Sequence, residues 1–128
     1  NNPAQPPHYL SDTAVVENSM VSAGCEISGE VDYSVLFSNV TIEEGAVVKY
    51  SIVMPGTVVK SGAVVQYAML AEDVTVEENA VIGECPEKME DLDKWGIAVV
   101  GTGVKVGKNA KIAPKIMCEN DVQEGESV

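Results

Sequence analysis

The chain of 128 residues sets 20 acidic residues against 8 lysines and no arginine, a net charge of −12, with 45% hydrophobic but only 5% aromatic residues. So acidic a chain, without arginine, is a poor ligand for nucleic-acid phosphates, and so apolar a chain does not stay disordered. No run approaches the roughly 18 apolar residues of a membrane helix, and three widely spaced cysteines form no disulfide framework and point to a reducing cytosol.

Residues 1–11 (NNPAQPPHYLS) hold three of the six prolines and no charge at neutral pH. They read as an extended linker, expected to follow a larger preceding domain. From Ala14 the sequence repeats. A short unit runs Ala14–Ser28 (AVVENSMVSAGCEIS), and three units of 17 residues follow at Gly29–Gly45, Ala46–Gly62 and Ala63–Asn79. A further unit opens at Ala80 (AVIG) and is interrupted at 85–96 (CPEKMEDLDKWG), an acidic loop with the single Trp. Regular coils resume at Ile97, Val104 and Val106 match the last strand of a unit, and 110–128 give one or two irregular turns.

Aligned by column, each unit holds a small residue, any residue, then a branched one, three times over. The first and third columns are Ala14/Gly29/Ala46/Ala63/Ala80 and Val16/Val31/Val48/Val65/Ile82. The sixth and eighth are Ser19/Ser34/Ser51/Ala68 and Val21/Leu36/Val53/Leu70. The twelfth and fourteenth are Cys25/Val40/Thr57/Val74 and Ile27/Ile42/Val59/Val76. Alternation by two means strands whose flanking residues share one side, and dense β-branching with no 3.6-residue period excludes an amphipathic helix. Three strands per unit make a triangular coil, and stacked coils pair each strand in parallel with its copy. The fold class is all-β: a single-stranded parallel β-helix, a solenoid with triangular coils of about 17 residues, over 12–128.

The outward columns suggest surfaces. The second holds Val15, Glu30, Val47, Val64 and Val81; the seventh Met20, Val35, Ile52 and Met69; the thirteenth is more polar, with Glu26, Thr41, Val58 and Thr75. Tyr33, Tyr50 and Tyr67 share the fifth column. Two faces thus carry apolar ladders, expected to be covered by another subunit or a further domain; ordinary β-propensity on an exposed sheet is the alternative. Glu43–Glu44 and Glu77–Glu78 recur at one corner with Lys60 between them, a solvated charge pattern rather than an acid–base pair. Cys25 is inward, where it acts as a small hydrophobe, and no CxxC spacing marks a metal site. His8 is the only His and lies in the linker. Acyltransfer with a coil-borne His base, or a multi-His zinc site, therefore finds no residues on these coils.

The linker NPAQPP, the SVLF run at Ser34–Phe37 and the SIVMPG run at Ser51–Gly56 give the chain its resemblance. It resembles the C-terminal domain of the bacterial glucose-1-phosphate adenylyltransferase (ADP-glucose pyrophosphorylase) family. The resemblance covers nearly the whole chain and weakens from residue 85. It implies a left-handed parallel β-helix, of the hexapeptide-repeat kind, following a nucleotide-binding α/β catalytic domain. That domain would hold the magnesium and make ADP-glucose and pyrophosphate from ATP and glucose 1-phosphate for glycogen synthesis. On this implication the chain itself carries no catalytic residue, metal or cofactor. It serves a cytoplasmic homo-oligomer, tetrameric in the family, through subunit contacts and allosteric control. Residues 97–118 carry Lys105, Lys108, Lys111 and Lys115 and no acidic residue. Family regulators are anionic, so these lysines are candidate contacts for a sugar phosphate, although the segment also reads as a solvated face. Without Arg there is no bidentate phosphate fork, so a regulator site is expected to need basic residues of the catalytic domain. A hexapeptide acyltransferase and a purely structural solenoid are the alternatives.

Overall fold

The repeat columns become strands of two or three residues. The computed structural model describes residues 8–88 and 92–128, so residues 1–7 of the expected linker and 89–91 of the inserted loop lie outside the described residues. The first two coils hold β1 (Tyr9–Leu10), β2 (Val15–Glu17) and β3 (Met20–Val21), then β4 (Glu26–Ile27), β5 (Glu30–Asp32) and β6 (Val35–Leu36). The next two hold β7 (Thr41–Ile42), β8 (Val47–Lys49) and β9 (Ile52–Val53), then β10 (Val58–Val59), β11 (Val64–Gln66) and β12 (Ala68–Leu70). The last two hold β13 (Thr75–Val76), β14 (Val81–Ile82) and β15 (Ala98–Val100), then β16 (Lys105–Val106), β17 (Lys111–Ile112) and β18 (Met117–Cys118). Every strand pairs in parallel with its counterparts one coil away. The result is three six-stranded sheets: β1-β4-β7-β10-β13-β16, β2-β5-β8-β11-β14-β17 and β3-β6-β9-β12-β15-β18, here the first, second and third sheets.

The register keeps each repeat column as one vertical ladder: Val31 pairs Val48, Val48 pairs Val65, and Val65 pairs Ile82. The inward columns make the core. From Cys25 to Val106 the branched residues of all three sheets are fully buried, and the small first column (Ala46, Ala63, Ala80) lies inside with them. Each such branched side chain contributes about 1.5–3 kcal/mol by leaving water. Two sixth-column serines, Ser34 and Ser51, are buried and satisfied by the coil stacking itself. The Ser34 Oγ donates to the Asp32 carbonyl at 2.9 Å and accepts from the Ser51 N–H at 3.1 Å. Thr57 does the same in the twelfth column, donating to the Ala71 carbonyl at 2.9 Å and accepting from the Val74 N–H at 3.2 Å.

Two details differ from the sequence reading. Tyr9 and Leu10, placed in the linker, form β1 and pair with Glu26 and Ile27, so the coil begins before residue 12. Two residues are too few to show alternation beside three prolines. The insertion leaves the coil after β14, where Gly83 adopts φ +79° and a Cβ would stand 2.0 Å from the Gln66 carbonyl oxygen. Only glycine fits that close approach. The insertion includes short 3₁₀ turns at Pro86–Lys88 and Leu92–Lys94 and returns into β15. Among the described residues no helix is long and apolar enough to cross a membrane.

Candidate functional site

The outward columns separate the three faces. The first sheet shows Tyr9, Glu26, Thr41, Val58, Thr75 and Lys105 in register. The second shows Val15, Glu30, Val47, Val64, Val81 and Lys111, so Val47, Val64 and Val81 form three half-buried apolar rungs bounded by charge. Lys49 beside them pairs with Glu30 at 3.2 Å. The third sheet shows Met20, Val35, Ile52, Met69, Val99 and Met117, and none of its six rungs is charged. Met20 and Met117 at its ends are each 71% exposed, and Ile52 and Met69 in the middle remain exposed.

The tyrosine column stands at the corner where the second sheet turns into the third. Tyr33 and Tyr50 stack at 5.0 Å between ring centroids, and Tyr50 and Tyr67 at 4.8 Å, with planes within 8°. All three take the left-handed backbone, at φ +47° to +49°, as does Asn18 at the same place in the first coil. For a bulky side chain that conformation is strained, so the stack has to hold the corner against its own backbone preference. The ladder has a cap that the sequence reading did not place. Trp95 of the insertion meets Tyr67 edge-on at 5.6 Å and 79°, and its Nε1–H donates to the Glu84 carbonyl at 2.7 Å. Cys85 lies 3.9 Å from the Tyr67 hydroxyl, and burial, then this thiol, pushes the Tyr67 phenol above its usual value. The insertion interrupts the coil where a fifth-column residue is due, and that position is the signal that could have placed the Trp over Tyr67.

The ninth column was also missed: Phe37 and Met54 continue the alternation outward one step beyond Leu36 and Val53. Tyrosine corner and third sheet together line an apolar groove of about 420 Å³, with Tyr33, Tyr50, Ile52, Met69, Ile97 and Val99 among its walls.

The remaining candidates do not converge. Lys105 and Lys108 share a groove with Glu77, Asp121 and Glu124, whereas Lys111 lines a different one beside Gln66 and Glu84. Lys115 donates to the Asp93 carbonyl at 3.1 Å. The four lysines thus follow the coil around its perimeter. At the acidic corner Lys60 bridges to Glu77 at 3.1 Å. The Glu77 hydrogen bond and charge raise its ammonium above the usual range. Cys25, Cys85 and Cys118 are free thiols, and burial pushes those of Cys25 and Cys118 up. His8 is exposed at the rim of β1. Among the described residues no group of three or more His, Cys, Asp or Glu is placed to hold a metal ion.

Comparison with known proteins agrees with this architecture. Residues 7–104 match the family described as GlmU-like, C-terminal hexapeptide. A glucose-1-phosphate adenylyltransferase of Bacillus cytotoxicus is 53% identical over 47 residues, and one of Bacillus anthracis 51% identical over 47 residues. Each match spans 37% of this chain and 12% of the relative. Among solved structures, the perosamine N-acetyltransferase of Caulobacter crescentus, in complex with CoA and GDP-perosamine, superposes with a TM-score of 0.62 at 17% identity. It covers 96% of this chain and 53% of that one. At that identity the likeness is one of fold.

Proposed function

The chain belongs to the GlmU-like, C-terminal hexapeptide family, and from that premise we propose that it is the non-catalytic solenoid domain of a longer glucose-1-phosphate adenylyltransferase, acting in assembly and allosteric control. The matches to adenylyltransferases support the parent activity: formation of ADP-glucose and pyrophosphate from ATP and glucose 1-phosphate, with magnesium, in the cytoplasm, for glycogen synthesis. The observation that carries the domain's own role is the third sheet, apolar and uncharged on six consecutive rungs. A soluble domain rarely keeps so continuous a ladder without covering it. The parent assembles as a homo-oligomer. Its anionic regulator is held mainly by basic residues outside this chain, with Lys105 and Lys108 the closest contribution from within it; Lys111 and Lys115 lie elsewhere.

The test compares this 128-residue chain with the complete natural polypeptide that carries it. Pyrophosphate release from ATP and glucose 1-phosphate is expected only from the complete polypeptide. Inactivity of that polypeptide, or acyl-CoA turnover by the solenoid alone, overturns the proposal. Binding of a sugar-phosphate activator to the isolated chain as tightly as to the complete protein overturns the placement of the regulator's main contacts outside this chain.

A further inference from the structure

The second sheet carries charge at both ends of its apolar rungs, and the two ends differ in sign. Read across each strand, its outward pairs are Val15–Glu17, Glu30–Asp32, Val47–Lys49, Val64–Gln66, Val81–Gly83 and Lys111–Ala113 on six successive coils. Glu30 and Lys49 pair along the face at 3.2 Å, and each side chain keeps 42% of its surface exposed. Past Gly83 the chain leaves the sheet for the insertion, beginning with Glu84. Gln66, Val81, Gly83, Glu84 and Lys111 line a groove of about 490 Å³ at that point. One half of the face thus presents Glu30 and Lys49, and the other half a groove that offers Lys111 and Glu84.

Such a face complements a second copy of itself. A two-fold axis along β11, the Val64 strand, reverses the coil axis and keeps each column opposite its own kind. Val64 then meets Val64, Gln66 meets Gln66, and Val47 meets Val81. Glu30 meets Lys111, and Lys49 enters the groove beside Glu84. The order Glu84–Lys49–Glu30–Lys111 alternates in sign and occurs twice, once on each side of an apolar centre, as a contact with a polar rim requires. Asp32, which accepts from the Asn18 Nδ2 at 3.2 Å, faces Ala113, and Val15 and Glu17 lie at the rim opposite Ser127. Other placements fail on charge. Moving the axis by half a coil or a whole coil in either direction sets Glu30 or Lys111 on a valine. An axis parallel to the coils sets Glu30 against Asp32, a like-charge contact. The five matched rungs cover roughly 24 Å by 10 Å, well short of the roughly 800 Å² that free partners bury on each side. A contact of this size acts inside an assembly also held elsewhere, where tethering supplies the effective concentration.

We infer that the second sheet is an isologous contact between two copies of this domain, antiparallel along the coil axis and centred on Val64. The inference rests on the reading of the domain as an assembly module of a longer adenylyltransferase, and it names the face and the register. A photo-cross-linking residue placed at Val64 of the complete natural polypeptide tests it, with Glu26, exposed on β4 of the first sheet, as the control position. The expected result is an intermolecular cross-link from position 64 to residues 64–66 of the second copy, several-fold stronger than any from position 26. Lys111→Glu sets a carboxylate opposite Glu30 at two places and is expected to weaken association about ten-fold or more, seen in sedimentation as a smaller particle. Adding Glu30→Lys to Lys111→Glu is expected to restore the larger one. A cross-link within one chain, cross-links to another sheet of the second copy, equal yield from both positions, or an unchanged particle in Lys111→Glu overturns the inference. A double variant no larger than Lys111→Glu overturns the register. Particle size and pyrophosphate release by the same preparation separate the proposals. An active oligomer without the cross-link defeats this contact alone, an inactive one with the cross-link defeats the enzymatic reading alone, and a monomer defeats the assembly reading and this contact with it.

Discussion

Ser51 shows how one hydroxyl joins three coils. Its Oγ donates to the Lys49 carbonyl at 2.8 Å and accepts from the Ala68 N–H at 3.3 Å, while its own N–H donates to the Ser34 Oγ at 3.1 Å. The site is buried, so Ser51→Ala leaves the Ala68 N–H without an acceptor where water does not reach. The expected cost is about 1–3 kcal/mol, read as a lower denaturant midpoint with an unchanged slope. A second prediction follows from Cys25 and Cys118, whose thiols burial raises above their usual value of 9.0. The folded chain holds those protons more tightly than the unfolded one. The contribution of these two thiols to stability is therefore level below pH 9 and falls as pH climbs through the unfolded thiol pKa towards the folded values. Lys60, raised by Glu77, acts in the same direction at higher pH. Replacing both buried cysteines with Ala is expected to flatten the first part of that decline in pH-dependent unfolding.

At the scale of the element, the tyrosine corner sets stacking against backbone strain. Tyr50 has a ring on either side, at 5.0 and 4.8 Å, yet sits at φ +49°. Each aromatic contact contributes about 0.5–1.5 kcal/mol beyond burial, whereas a left-handed backbone costs an L-residue roughly 1–2 kcal/mol unless it is Gly or, in part, Asn. Tyr50→Ala loses both stacks and keeps the strain; Tyr50→Asn and Tyr50→Gly lose the stacks and relieve it. Both are expected to be more stable than Tyr50→Ala, by about 1 kcal/mol for Gly, in thermal or urea unfolding; equal stability would mean the corner is not strained. The stack was legible in the sequence because three tyrosines share a repeat column. The cap was not, because Trp95 belongs to an insertion whose residues have no column, and its position over Tyr67 comes from the path of the loop.

For the whole molecule, a repeat that shares one register lets local alternation fix global architecture. Each of Val31, Val48 and Val65 is buried by the same neighbours one coil away, so three sheets and their inward columns could be read from spacing alone. Surfaces were less legible. The seventh column announced the third sheet, but Phe37 and Met54 widened it from the ninth, and the lysines that cluster in sequence separate around the coil perimeter. The same one-dimensional build predicts graded stability, since each coil is held only by its neighbours. In the first coil the inward Ala14, Val16 and Val21 are only partly buried, whereas their counterparts Ala46, Val48 and Val53 are closed off on both sides. The N–H groups of Val15 and Val47 make equivalent hydrogen bonds, at 3.0 Å to the Gly29 carbonyl and 2.9 Å to the Ala63 carbonyl. Any difference between them therefore reports coil opening rather than bond geometry. Losing part of the burial of three side chains lowers the cost of opening the first coil by a few kcal/mol, so the Val15 and Met20 amides are expected to exchange with solvent about 10- to 100-fold faster than those of Val47 and Val64. Native-state hydrogen exchange measures this directly, and equal protection from Val15 to Val64 would show that the solenoid opens as one cooperative body.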